Sequence, residues 1–153
     1  GVYNRRAWSE RLLALHARTQ REGQPLSLLF LDLDEFKELN DRLGHAAGDA
    51  ALRAMAAVMR AEIREHDTVG RYGGEEFVVC LPNTSHARAL QAAERIRKRL
   101  QERARREPGD SLPTVSIGVA TLRPGEELAA LIRRADSAMY QAKAAGRNRV
   151  VAG

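Results

Sequence analysis

The chain has a single cysteine in 153 residues. Cys80 alone excludes an internal disulfide and a cysteine-based zinc site. It lies in the apolar run Val78-Val79-Cys80-Leu81, where a small buried hydrophobe is the expected role. Aromatic residues make up only 5% of the chain. A basic stripe interleaved with aromatics is therefore missing, as is any nucleic-acid-binding motif, so nucleic acid is not expected as a partner. No apolar run approaches the ~18 residues that cross a bilayer. No basic start with an apolar centre marks a signal peptide. Neither a Gly-rich dinucleotide fingerprint nor a Walker loop is present, and there is no internal repeat or low-complexity tract. A reducing, cytoplasmic compartment fits these absences. The chain opens at Gly1, without methionine and directly before a helical pattern, so an excerpt of a longer protein is expected.

What is present describes one globular domain, 1–153, with a core of its own. The formal charge of +5 favours anionic partners. Much of the positive charge, as in Arg95, Arg97, Lys98 and Arg99, decorates what reads as a solvated helix face. Helical periodicity runs through 4–20 (Trp8, Leu12, Leu15), 48–64 (Leu52, Met55, Met59, Ile63), 86–104 (Leu90, Ala93, Ile96, Leu100) and 126–145 (Leu128, Leu131, Ala135, Met139). Residues 26–33 are almost continuously apolar and short, as in a strand covered on both faces. A hairpin is expected at 69–81, a surface loop at 105–113, a strand at 114–121 and a short last strand at 148–151, with Gly146 closing the helix before it. This order predicts an α/β fold of the α+β sandwich kind: a central, mostly antiparallel five-stranded sheet flanked by helices.

The hairpin carries Arg71-Tyr72-Gly73-Gly74-Glu75-Glu76-Phe77 at its turn. The glycines suggest a tight reversal using backbone angles that other residues resist. Adjacent acids at its tip admit two readings: a turn kept wet by charge, or donors that hold a hard cation against phosphate oxygens. The 26–33 strand ends in Asp32-Leu33-Asp34. If that strand lies beside the hairpin, Asp32 approaches Glu75, and such a carboxylate cluster suits Mg²⁺. Asp34 fits an N-cap for the short helix that follows. Asn40 and Asp49 flank a glycine-containing turn between two helices, and turn chemistry explains both on spacing alone. They also carry the donor and acceptor types that would select guanine over adenine. His45 shows no partner pattern for metal or triad work.

In order along the chain stand Tyr3-Asn4-Arg5-Arg6, Asp32 to Asp41, Gly44 to Asp49, Arg71 to Phe77, Ser116-Ile117-Gly118-Val119 and Ala142 to Asn148. Together they resemble the GGDEF family of diguanylate cyclases, in the variant whose signature reads GGEEF, over essentially the whole chain. Two departures stand out. The family's opening segment extends upstream of Gly1, and Glu35 stands where members often have an aromatic or His.

The resemblance implies a palm-like nucleotidyl-cyclase fold and the condensation of two GTP into cyclic di-GMP and two pyrophosphates. It implies Mg²⁺ as cofactor, with Mn²⁺ as an alternative ion, held by Asp32, the Leu33 carbonyl and Glu75. Asn40 and Asp49 match guanine contacts, with Phe36 and Leu52 in the pocket wall. Lys143 and Arg147, read as one helical turn apart on one face, match phosphate-binding positions, and Lys37 supports the phosphates. The Gly73 and Gly74 amides would let phosphates come close. Glu76 matches the second signature acid, and it competes with Glu75 for the role of base. A two-fold symmetric product implies a homodimer in which each subunit holds one GTP. An upstream sensor or receiver domain is implied as well.

Arg64-Glu65-His66-Asp67 repeats an Arg-x-x-Asp sequence at the family's spacing from Gly73, with Arg95 as its supporting arginine. The resemblance makes this an inhibitory product site. Its plainer reading is a helix end with Arg64 near the negative pole of the dipole. A rival for the whole chain is a non-catalytic receptor that binds GTP or cyclic di-GMP. It is disfavoured because Asp32, Glu75, Glu76, Lys143 and Arg147 are all present.

Overall fold

An apolar strand, β2 (Leu26–Leu33), runs through the middle of the sheet and is buried along almost its whole length. The structure, a computed structural model, describes residues 2–153. β2 is antiparallel to β4 (Glu76–Pro82) on one side and to β5 (Val115–Thr121) on the other. β3 (Thr68–Arg71) pairs antiparallel with β4. At the two edges, β1 (Val2–Tyr3) lies parallel to β3, and β6 (Val150–Ala152) lies parallel to β5. The order is β1-β3-β4-β2-β5-β6, a sheet of six strands where the sequence led us to expect five. The extra strand is β1. Two residues before the first helix carry no alternation that could announce a strand; pairing with β3 alone defines it.

The alternation of β2 divides its leucines between two layers. Leu29, Leu31 and Leu33 face α3 (His45–Glu62) and α4 (His86–Arg106), together with Val79, Ile117 and Val119. Leu26, Leu28 and Phe30 face α1 (Arg5–Glu22) and α5 (Leu128–Ala144), together with Val78 and Cys80. A short α2 (Phe36–Leu43) follows β2 and leads into α3. Asn4 caps α1 by accepting the Ala7 N–H at 2.8 Å, and Ser85 caps α4 through the Arg88 N–H. The expected loop at 105–113 contains a three-residue 3-10 turn, Pro108–Asp110. Cys80 is fully buried, and burial pushes its thiol up to about 12. Among the described residues no helix is long and apolar enough to cross a membrane.

Gly118, in the middle of β5, lies directly against the backbone of α5. A Cβ there would lie 2.1 Å from the Ala135 carbonyl oxygen and 2.3 Å from the Met139 amide nitrogen. Both neighbours are helix backbone, which cannot rotate aside as a side chain can. Gly118→Ala is therefore expected to cost roughly 3 kcal/mol, the upper end of overpacking effects, measured by urea unfolding. A loss within error of zero would show that α5 lifts freely from β5.

Candidate active site

The carboxyl end of β2 brings acids into one corner. Asp32 lies directly opposite Glu76 on β4 and Ser116 on β5. Glu75 stands one step further out, its carbonyl accepting the Leu33 N–H at 3.4 Å. Into this corner α5 sends Lys143. Its ammonium lies 2.9 Å from Asp32 Oδ1, 3.1 Å from the Leu33 carbonyl oxygen and 3.3 Å from Asp34 Oδ1. Burial pushes the Asp32 carboxyl up to about 6 against the opposing pull of Lys143, and the charges of Glu75 and Glu76 add to the rise. Glu76 is raised as well, first by burial and then by the charges of Asp136 and Glu75, with Arg5 and Lys143 opposing.

These donors fit a hard cation. The Asp32 carboxylate and the Leu33 carbonyl already converge on one positive group, the Lys143 ammonium, and Glu75 is near enough for its charge to act on Asp32. Among the described residues no three His, Cys, Asp or Glu side chains gather to hold a metal. The expected set has two carboxylates and a main-chain carbonyl. It would leave the remaining positions to water or phosphate oxygens, as Mg²⁺ prefers.

Several expectations need correction. Asp34 does not cap α2: Glu35 occupies the cap position in a left-handed conformation (φ 54°), and no side chain caps that end. Asp34 instead points inward, 3% exposed, and accepts from Thr114, Ser116, Lys143 and the Asn148 backbone. Arg147 does not share a helix face with Lys143. α5 ends at Ala144, Gly146 turns the chain at φ 124°, and Arg147 follows at φ 66°, outside the helix. Gly73 and Gly74 do not use left-handed angles. Four residues, 72–75, separate β3 from β4, so the reversal is wide enough for ordinary conformations. Gly73 matters for room: a Cβ on it would come 3.2 Å from Glu76 Oε1. The Gly74 carbonyl accepts from Arg71 at 2.7 Å.

The proposed base-recognition residues lie on α2 and α3. Asn40 is wedged against Gly48, and its Oδ1 is buried without a hydrogen-bond partner. Asp49 is exposed on the first turns of α3, while Phe36 and Leu52 are half-buried against the core. Lys37 is exposed on α2.

A second cluster forms on another face of the molecule. Arg64 and Asp67 close a turn: the Asp67 N–H donates to the Arg64 carbonyl at 3.1 Å, and the Arg64 N–H donates to Asp67 Oδ2 at 2.7 Å. Together with Arg95 they line a cavity of about 220 Å³. Arg88 lines it too, and local sequence did not single it out. Arg95 is held by Glu62 at 2.9 Å, and Asp67 Oδ1 is buried without a hydrogen-bond partner.

Two further residues had been given no role from sequence. Arg5, on the first turn of α1, stacks over the Tyr72 ring 4.0 Å from its centroid. Asp136, on α5, acts on Glu76 by charge and keeps one buried oxygen without a partner. Both lie far from the hairpin in sequence, so local spacing could not show that they act on Tyr72 and Glu76.

Comparison with known proteins shows the family and the fold. The family described as "Diguanylate cyclase, GGDEF domain" matches residues 1–149. The chain belongs to that family. It is 45% identical to the response regulator PleD of Caulobacter vibrioides over 162 aligned positions, covering 99% of this chain and 34% of PleD. It is 42% identical to the diguanylate cyclase VdcA of Vibrio cholerae, covering 99% of this chain and 44% of VdcA. The chain thus spans less than half the length of these relatives. The active GGEEF domain of a diguanylate cyclase from Vibrio cholerae superposes with a TM-score of 0.93 at 37% identity, covering 99% of this chain and 97% of that one. The GGDEF domain of DgcB from Caulobacter crescentus, solved in complex with c-di-GMP, gives 0.91 at 34% identity, covering 99% and 91%.

The contact of Asn40 with Gly48 is testable. A Cβ at position 48 would fall 1.9 Å from Asn40 Oδ1, the far end of a flexible side chain. Gly48→Ala is expected to leave thermal stability within about 1 kcal/mol, since helix propensity offsets the crowding. It should turn the Asn40 amide away and weaken guanine-nucleotide binding about tenfold by calorimetry. Unchanged affinity would remove Asn40 from base recognition.

Proposed function

We propose that this chain condenses two molecules of GTP into cyclic di-GMP and two pyrophosphates, with Mg²⁺ as cofactor and Mn²⁺ able to replace it. The observation that carries the reading is the convergence of the Asp32 carboxylate and the Leu33 carbonyl on the Lys143 ammonium, beside Glu75. Asp32, the Leu33 carbonyl and Glu75 would hold the metal. When bound, it would lower the proton affinity of the attacking hydroxyl and spread the charge on phosphate.

This chain's own residues do the rest. Asn40 and Asp49 orient guanine. Lys37, Lys143, Arg147 and the amides of Gly73 and Gly74 hold the phosphates. The 3′-hydroxyl oxygen of one GTP bonds to the α-phosphorus of the other, and the bond to the leaving pyrophosphate breaks. Glu75 or Glu76 takes the hydroxyl proton. Lys143 and Arg147 meet the charge that gathers on pyrophosphate. A second, equivalent attack closes the ring. Each subunit brings one nucleotide, so a homodimer forms the complete site, and holding the two GTP at attack distance supplies much of the acceleration. In the intact protein, a sensor or receiver domain upstream would govern that encounter from the cytoplasm. Cyclic di-GMP would inhibit by binding at Arg64, Asp67 and Arg95, where Asp67, ion-paired with Arg64 at 3.5 Å, would accept from a guanine edge and the arginines would offer forks to phosphate.

Incubation of the chain, forced to dimerise by a fused coiled coil, with GTP and Mg²⁺ should yield one cyclic dinucleotide per two pyrophosphates by chromatography. Glu75→Ala should lower turnover at least about a hundredfold with an unchanged melting temperature. Absence of cyclic product from the forced dimer would defeat the enzymatic reading and leave a nucleotide receptor. Product inhibition is tested separately. Arg64→Ala should shift the inhibition curve to at least about tenfold higher cyclic di-GMP, and a curve that does not move would place the inhibitory site elsewhere.

A further inference from the structure

Asp34 carries an arrangement that neither metal binding nor base recognition accounts for. Its two carboxylate oxygens are filled by donors from four places in the chain. Oδ1 accepts from Ser116 Oγ at 2.6 Å and from Lys143 Nζ at 3.3 Å. Oδ2 accepts from Thr114 Oγ1 at 2.7 Å and from the Asn148 backbone N–H at 3.0 Å. That exhausts the usual acceptor capacity of a carboxylate. The group is almost completely buried, so these bonds do not compete with solvent. Asp34 therefore joins the end of β2 to the start of β5, to the last turn of α5 and to the turn that leads into β6.

Two of those links bear on phosphate binding. The first is to Lys143. Its other partners are Asp32 and the Leu33 carbonyl, and both are proposed metal ligands. Once those oxygens turn to a cation, Asp34 is the one of the three that still holds the ammonium in this corner. The second link is to the turn at 147–148. Arg147 and Asn148 are consecutive non-glycine residues in left-handed conformations, at φ 66° and φ 47°. Such conformations are sparsely populated and persist only where surrounding contacts enforce them. Here the Asn148 N–H is fixed by Asp34, and the Asn148 Oδ1 accepts from Arg97 of α4 at 3.0 Å. The Arg147 side chain, by contrast, is exposed and makes no hydrogen bond among the described residues. The turn is held and the guanidinium is left available.

We propose that Asp34 is a positioning residue, which locks Lys143 and the strained 147–148 turn to the strand carrying Asp32 so that both cations are aimed at phosphate before nucleotide arrives. The inference rests on the cyclase reading for what the cations bind, but the lock itself is independent of it. Asp34 touches no substrate. It acts through Lys143 and Arg147, so its effect should vanish where the group it positions has been removed.

The test has two arms. In the nucleotide-free and metal-free protein, hydrogen exchange of the Asn148 amide should quicken at least tenfold in Asp34→Asn, while Val79 in the sheet centre keeps its protection. In the forced dimer, Asp34→Asn should lower kcat/KM for GTP about tenfold or more, and Arg147→Ala should lower it as well. The double variant should fall short of the product of the two losses. Should Asp34→Asn fail to fold, Thr114→Val removes one donor to the same carboxylate, and changes of the same sign are expected from it in both arms. Unchanged exchange at Asn148, or multiplicative losses in the cycle, would overturn the proposal. If the wild-type dimer makes no cyclic product, the cyclase reading falls alone, and the exchange arm still decides whether Asp34 holds the turn.

Discussion

One ammonium group holds together the end of the central strand. β2 runs through apolar residues to Asp32 near its end, Asp34 follows just after it, and Glu76 at the start of β4 and Glu75 just before it lie alongside. Burying this much negative charge at a sheet end is costly unless a positive group is buried with it. Lys143 is that group, reaching two carboxylates and a main-chain carbonyl from the last turn of α5. Even so, burial pushes the Asp32 carboxyl up to about 6 against the pull of Lys143.

The elements around this corner have separable tasks. The central strands set the acids side by side, because the Asp32–Glu76 register follows from the leucines that precede Asp32 on the buried strand. α5 is clamped to β5 by the absence of a side chain at Gly118, and that contact fixes the reach of Lys143. α2 and α3 stand to one side and present Asn40 and Asp49. The turn after α5 carries Arg147 in a conformation that a free chain would seldom adopt. Rigid elements thus place the charges, and the more adaptable turns are tied down by Asp34 and Arg97.

Much of this was legible in the residues themselves. The apolar run at 26–33, the helical periodicities and the Gly-Gly-Glu-Glu hairpin placed most elements within a few residues. Residue type and ordered motifs singled out Asp32, Glu75 and Lys143, and the fold brings them to one corner. The failures share a cause. β1 is two residues long and exists only through its pairing with β3. Asp34 looked like a cap because its near neighbours allowed it, while its true partners lie at Thr114, Ser116, Lys143 and Asn148. Arg147 was placed on the helix of Lys143 because spacing alone does not show where Gly146 ends that helix.

The sequence by itself determined the alternation that builds the sheet, the acids at the strand end, the basic residues able to meet phosphate and the family to which they belong. Those properties are written in local pattern and in residue type. Only the tertiary structure decided that Asp34 is sealed inside, that Lys143 reaches the acids at the strand end, and that Arg147 sits outside the helix. Those outcomes depend on hydrogen bonds between segments 80 to 114 residues apart. The burial that makes such bonds strong exists only after the sheet and its helices have closed around them.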